Sequence, residues 1–161
     1  MPGIKQLFLS GMLVLSTAVF AVDVAAQKSA DKAAAIKALV ESQRFTFYAQ
    51  YAQPRQGTNR YLTSEYTLRI AKDSISSYLP YFGRAYSGVG YGSGDGPVQF
   101  TSTQFDYKVE PEKKGGWYIN IKPKDAPGVN TVTLDITSGG NCTVTVISMN
   151  RDPISYTGYL K

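Results

Sequence analysis

The sequence predicts an α+β fold, mainly antiparallel β, with one N-terminal helix packed on a curled sheet or partly closed barrel of about eight or nine strands. Three observations predict it. Apolar residues recur at helical spacing over residues 29–43, and after Arg44 the period changes to 2. The later runs alternate apolar and polar residues, which gives each strand one buried and one wet face, the pattern of an antiparallel sheet. Clusters of Gly, Pro, Asn and Asp separate these runs at hairpin spacing.

The N-terminus reads as an address. Lys5 precedes an apolar stretch from Leu7 to Val22, broken by Ser10, Gly11, Ser16 and Thr17. Val24-Ala25-Ala26 then places small residues at positions suited to a signal-peptidase cut, after Ala26, with Ala21 as second choice. Residues 1–26 are thus expected to be a signal peptide and residues 27–161 a single globular domain. An uncleaved anchor is the alternative, but the stretch falls short of the ~20 residues a spanning helix needs. No stable membrane span is expected after cleavage. Cys142, the only cysteine, lies far from the cut, so no lipid can be attached at a new N-terminus.

In the helix of residues 29–43, Ser29 can cap the first turn and Asp31 favours the positive end of the helix dipole. Ala33, Ile36, Leu39, Val40 and Gln43 form its narrow stripe. Beyond Arg44, Phe45, Phe47, Ala49 and Tyr51 share one strand face, and Tyr66, Leu68 and Ile70 another. Phe105/Tyr107/Val109, Trp117/Ile119/Ile121, Val132/Leu134/Ile136, Val144/Val146 and Ile154/Tyr156 continue the alternation. Lys113-Lys114-Gly115-Gly116 and Gly139-Gly140-Asn141 suit hairpins, where Gly supplies positive φ. Asp125-Ala126-Pro127-Gly128 and Asn150-Arg151-Asp152-Pro153 are further turns. The second half is therefore a meander of about five strands, to which the first half adds about three or four.

Composition removes several chemistries. The 161 residues carry 17 Lys+Arg against 12 Asp+Glu, a net charge of +5, and 43% are hydrophobic, so the chain is too apolar for disorder. With one Cys and no His, there is no Ser-His or Cys-His nucleophile, no His-ligated or Cys-rich metal site and no internal disulfide. No cofactor and no metal are expected. Cys142 sits on an alternating run, which predicts a buried thiol, with an intermolecular disulfide as the alternative. The positive charge is spread, with no basic run longer than two residues. That argues against nucleic acid and for anionic envelope material such as acidic glycans or lipid headgroups.

Residues 80–96 break the strand pattern. Six of the 15 glycines fall here, with Tyr81, Tyr86, Tyr91, Phe82 and Arg84. Long irregular connections are often functional, and rigid aromatics on permissive glycines suit recognition. Tyr81, Tyr86 and Tyr91 are candidate stacking platforms, and Arg84 and Arg151 candidate anion clamps. The competing reading makes Tyr81 and Phe82 a plug that closes the end of the core. Gly88-x-Gly90 lacks the third glycine of a nucleotide motif, Ser93 standing in its place, and no phosphate-cradling GKS or GKT occurs. Arg55, Arg60, Arg84 and Arg151 would form an anion site if the fold gathered them.

Carboxylate chemistry is the remaining enzymatic route. Asp95 is its most suggestive member, while Glu110 and Glu112 read as solvated charges beside a turn and Asp106 as a residue on the polar face of a strand, opposite a lysine. Ser93-Gly94-Asp95 offers too few oxygens for calcium.

Several motifs occur together in order: Leu62-Thr63-Ser64-Glu65-Tyr66, Pro80-Tyr81-Phe82-Gly83-Arg84-Ala85-Tyr86, Phe100-Thr101-Ser102-Thr103-Gln104-Phe105-Asp106-Tyr107, Lys113-Lys114-Gly115-Gly116-Trp117 running into Ile121-Lys122-Pro123-Lys124, and Asn150-Arg151-Asp152-Pro153-Ile154-Ser155-Tyr156-Thr157-Gly158-Tyr159. Over residues 35–160 the chain resembles the family called domain of unknown function 4251. The resemblance implies an exported single-domain protein of the Bacteroidota envelope. It brings no activity, ligand or catalytic residue. Some members look like lipoproteins, for which this chain lacks the cysteine.

The leading reading is a small periplasmic or secreted binding module that meets an envelope glycan, lipid headgroup or partner protein through residues 80–96. A structural or protein-interaction domain without a small ligand is the alternative. A hydrolase that works without His, through Asp95 and a second carboxylate, is third.

Overall fold

The computed structural model describes residues 17–86, 96–113 and 115–161, with side chains from residue 26 onward. The helix α1 (Thr17–Ser42) begins well before residue 29, so Ser29 lies inside it and caps nothing. The reason is local: no Gly or Pro interrupts Thr17–Ser42, and Ala25, Ala26, Ala30 and Ala33 to Ala35 are the strongest helix formers. It stops at Gln43, whose φ of 52° is left-handed, with the Ser42 hydroxyl donating to the Leu39 carbonyl at 2.8 Å. Only its last turns pack: Ile36 and Val40 are buried, while residues 26–32 are exposed. Among the described residues no helix is long and apolar enough to cross a membrane.

Nine strands follow: β1 (Phe45–Pro54), β2 (Arg60–Ile70), β3 (Ile75–Leu79), β4 (Val98–Ser102), β5 (Phe105–Pro111), β6 (Trp117–Pro123), β7 (Val129–Ile136), β8 (Asn141–Ser148) and β9 (Ile154–Leu160). They form one antiparallel sheet in the order β4-β3-β2-β1-β9-β8-β7-β6-β5. Two meanders, β1–β4 and β5–β9, are thus joined where β1 pairs with β9. The inward residues make one core, with Phe47, Leu68, Ile75, Ile119, Leu134 and Tyr156 fully buried.

The sheet curls into a nearly closed barrel, and the chain itself explains how. β4 and β5 are its two edges, yet only Thr103 and Gln104 lie between them. An odd number of alternating strands leaves both edges running the same way. One continuous stretch therefore pairs with β3 first and with β6 after its corner. Asp125, in the β6–β7 turn, holds that corner. Its carboxylate accepts from the Ser102 hydroxyl, from the Thr103 amide at 2.9 Å and hydroxyl at 3.1 Å, and from the Gln104 amide at 3.2 Å.

The Ser102 hydroxyl first, and then the Thr103 amide, hold the Asp125 carboxyl down to about 2, from an ordinary value of 3.8. Its folded pKa is depressed, so its stabilisation is fully present above pH 3.8 and disappears as pH falls through about 2. Urea unfolding of Asp125→Asn is expected to lack the part of the wild-type stability loss that falls between those two pH values. Parallel wild-type and variant curves across that window would refute the clamp.

Two details depart from simple alternation. β1 carries a bulge: Ala49 faces Gly158 and Tyr51 faces Thr157, so Gln50 is an extra residue. Tyr51, expected inside with Phe45 and Phe47, is thereby turned out and is 45% exposed. On edge strand β5, Phe105 and Tyr107 are only half-buried and Val109 is exposed. Burial pushes the Tyr107 phenol up to about 12.

The helix closes one end of the barrel rather than covering a sheet face. Gly140, in the β7–β8 turn with φ +79°, lies under Ile36, and a Cβ there would sit 2.7 Å from Ile36 Cδ1. The opposite end is built by the β1–β2 turn, residues 80–86 after β3 and the β8–β9 turn. Cys142 is buried, and its thiol is pushed up by that burial and, less, by the charge of Asp135.

Candidate functional site

The end opposite the helix carries the segment that composition singled out. Pro80 leaves β3 with its carbonyl held by the Tyr156 hydroxyl at 2.8 Å. Tyr81 then turns inward and is only 6% exposed. Its hydroxyl lies 2.9 Å from the Arg84 carbonyl and 3.1 Å from that of Asp152. Ala85 and Arg151 form an antiparallel bridge, with the Tyr86 amide donating to Asn150 at 2.8 Å and the Asp152 amide to Arg84 at 3.0 Å. Asp152 is buried at 3% exposure, and its carboxylate accepts from the Tyr86 hydroxyl. That bond first, then loss of hydration, raises the Tyr86 phenol above its ordinary value, while Arg55 and Arg84 pull it the other way. Burial first, and then the charge of Asp152, raises Tyr81 as well.

Four arginines converge on this corner. Arg60 lies 4.6 Å over the Phe82 ring and Arg151 5.0 Å over the Tyr81 ring. Arg151 also donates to the Gly96 carbonyl at 2.8 Å. Arg55 and Arg84 are close enough to act on the Tyr86 hydroxyl. Elsewhere on the surface Lys37 pairs with Glu41, Lys108 with Glu110 and Lys124 with Asp106. Beside the corner opens a cleft of about 210 Å³ lined by Pro97, Val98, Gln99, Pro127, Gly128, Val129, Ser148, Asn150 and Arg151. Its polar groups are amides, a hydroxyl and a guanidinium, suited to an anionic or oxygen-rich ligand.

The fold thus brings Arg151, distant in sequence, to Tyr81, Arg84 and Tyr86, and adds Arg55 and Arg60. Tyr91 and Asp95 lie outside the described residues. The role of Tyr81 differs from the open platform expected of it. Its hydroxyl is taken up by backbone and one ring face by Arg151, so it is a post of the corner and closes the core end. Tyr86, 61% exposed, keeps an open ring. Asp152 and Asn150 are the residues that sequence reasoning missed, because a turn signal over 150–153 says nothing about which side chain turns inward. Burial of Asp152 marks it only once the structure is known, since ionisable groups are rarely buried without a partner. Asp106 and Glu110 are exposed partners of lysines, as solvated charges would be. Among the described residues no group of three or more His, Cys, Asp or Glu is placed to hold a metal.

The profile of the family described as domain of unknown function 4251 matches residues 27–160. The chain belongs to this family. A crystal structure of a family member from Bacteroides eggerthii is similar, with a TM-score of 0.60 and 23% identity over 82% of this chain and 86% of that one. At that identity the likeness shows the shared fold. No curated protein matches the chain.

Proposed function

We propose that this family member is a small exported binding module, periplasmic or secreted, that takes the anionic group of an envelope glycan or lipid headgroup at the arginine end of the barrel. The observation that carries the reading is the gathering of four arginines at one corner, Arg55 and Arg84 acting on Tyr86, Arg60 over Phe82 and Arg151 over Tyr81, beside a cleft with amide groups in its lining. Backbone bridging from Ala85 to Arg151 pre-orders the corner, which lowers the entropy lost on binding. Tyr86 offers a ring to a sugar or acyl face while Arg84 and Arg55 offer charge.

A thermal-shift panel of peptidoglycan fragments, acidic glycans, phospholipid headgroups and bile acids tests it. A ligand that binds only the folded state raises the melting temperature. Arg84→Ala and Arg55→Ala, both at exposed positions, are expected to keep the unliganded melting temperature and weaken binding about tenfold each. The class of compound that shifts the protein separates glycan from headgroup. A shift untouched by either variant would move the ligand elsewhere. For export, intact mass of the protein recovered outside the cytoplasm is expected to begin at Gln27; a species that keeps Met1 would remove the signal peptide.

A further inference from the structure

We propose that the outer face of the sheet, away from the arginine end, is a second site that binds an extended neutral polysaccharide across strands β2, β1, β9, β8 and β7. The bulge at Gln50 creates it. With one extra residue in β1, Gln50 and Tyr51 both point outward, and β2 uses Leu62 to Glu65 to span what β1 crosses with Gln50 alone. Two adjoining depressions result, of about 390 and 410 Å³, which share Gln50. Each falls in the range of about 300–1,000 Å³ usual for small-ligand sites. Exposed Thr63, Ser64 and Glu65 form the wall of the first with Tyr66, whose ring also stacks on Tyr78 at 5.7 Å.

The lining says what would fit. Strand pairing aligns Asp135, Thr143, Thr157, Tyr51 and Tyr61 in one row across five strands, and Tyr159, Tyr48, Thr67 and Tyr78 in a second. The Tyr48 and Tyr159 rings stack at 5.5 Å, and the Lys161 ammonium lies 5.4 and 5.8 Å from their centroids. Tyr51 meets Tyr61 edge to face at 5.2 Å. Successive positions in a row are one strand spacing apart, about 4.8 Å, close to the repeat of an extended pyranoside chain. Aromatic faces pack on sugar C–H surfaces, and the amide and hydroxyls of Gln50, Ser64, Thr143 and Thr157 match sugar hydroxyls. Glu65 and Asp135 balance Lys161 and Arg69, so this face lacks the positive excess of the arginine end, and a neutral chain suits it better than a polyanion.

Affinity gel electrophoresis of the purified protein in dextran, laminarin, xyloglucan or galactomannan, with polygalacturonate as the acidic comparison, tests the proposal. Retardation by at least one neutral polymer is expected. It should weaken about tenfold in Tyr159→Ala, and also in Gln50→Ala and Tyr51→Ser. The last two change exposed side chains, so they report on the site even if Tyr159→Ala fails to fold. No retardation by any neutral polymer, retardation by polygalacturonate alone, or retardation unchanged in Gln50→Ala and Tyr51→Ser would each overturn it.

Discussion

Gly158→Ala is expected to destabilise the protein by about 3 kcal/mol or more, the upper range for overpacking, and to lower the melting temperature by about 10 °C. Gly158 lies on β9 opposite Ala49, next to the bulge. There the β1 backbone approaches so closely that a Cβ would land on the Tyr48 carbonyl oxygen, 2.9 Å from its carbon and 3.0 Å from Phe47 Cε2. Neither neighbour can yield cheaply: one is backbone, and Phe47 is fully buried. The β1–β9 pairing is also what joins the two meanders, so relieving the clash means opening the seam of the sheet. Gly139→Ala is the control, since its Cβ would meet nothing nearer than Thr137 Oγ1 at 3.9 Å. Equal melting temperatures for the two variants would show that the close approach is not real.

Tyr156→Ala is expected to cost about 4 kcal/mol, in the range for removing a buried aromatic side chain. Tyr156 is fully buried on β9, and its hydroxyl donates to the Pro80 carbonyl at 2.8 Å. Burial pushes its phenol well above the ordinary range. The residue therefore does two things: its ring fills the core, and its hydroxyl ties the start of the 80–86 corner to the barrel. Tyr156→Phe separates them. It keeps the ring but leaves the buried Pro80 carbonyl without its partner, at about 1–2 kcal/mol. Denaturant unfolding that found Tyr156→Phe neutral would remove the anchoring role, and one that found it as damaging as Tyr156→Ala would assign the whole effect to the hydrogen bond.

Much of the fold is legible in the sequence because a strand's side-chain period is 2 and nothing in these runs competes with it. Leu134, Ile136, Val144, Val146 and Tyr156 point inward as their alternation requires. The turn residues divide the second half into the five strands that the structure contains. Alternation fails at Tyr51, because a bulge inserts one residue and reverses every later facing prediction on that strand. The helix start fails for a different reason: capping residues mark possible starts, but an alanine-rich run with no breaker lets the helix extend past Ser29. At the site, Tyr81, Arg84 and Tyr86 stand out by composition. That Tyr81 is a buried post and Tyr86 an open ring depends on the bridge to Arg151 and on buried Asp152, both about 70 residues away.

The sequence by itself determined the class of fold, the alternation that builds one apolar core, and the absence of histidine and disulfide chemistry. These are local or compositional properties, decided by residue type and short-range period. Only the tertiary structure decided how the sheet closes, since Thr103 and Gln104 carry one stretch of chain between two edges under the Asp125 clamp. It also decided that four dispersed arginines share one end and that tyrosines from β1, β2, β3 and β9 share one outer face. Such groupings follow from strand register and barrel curl. Those are set by long-range pairing, and no local pattern in the chain encodes them.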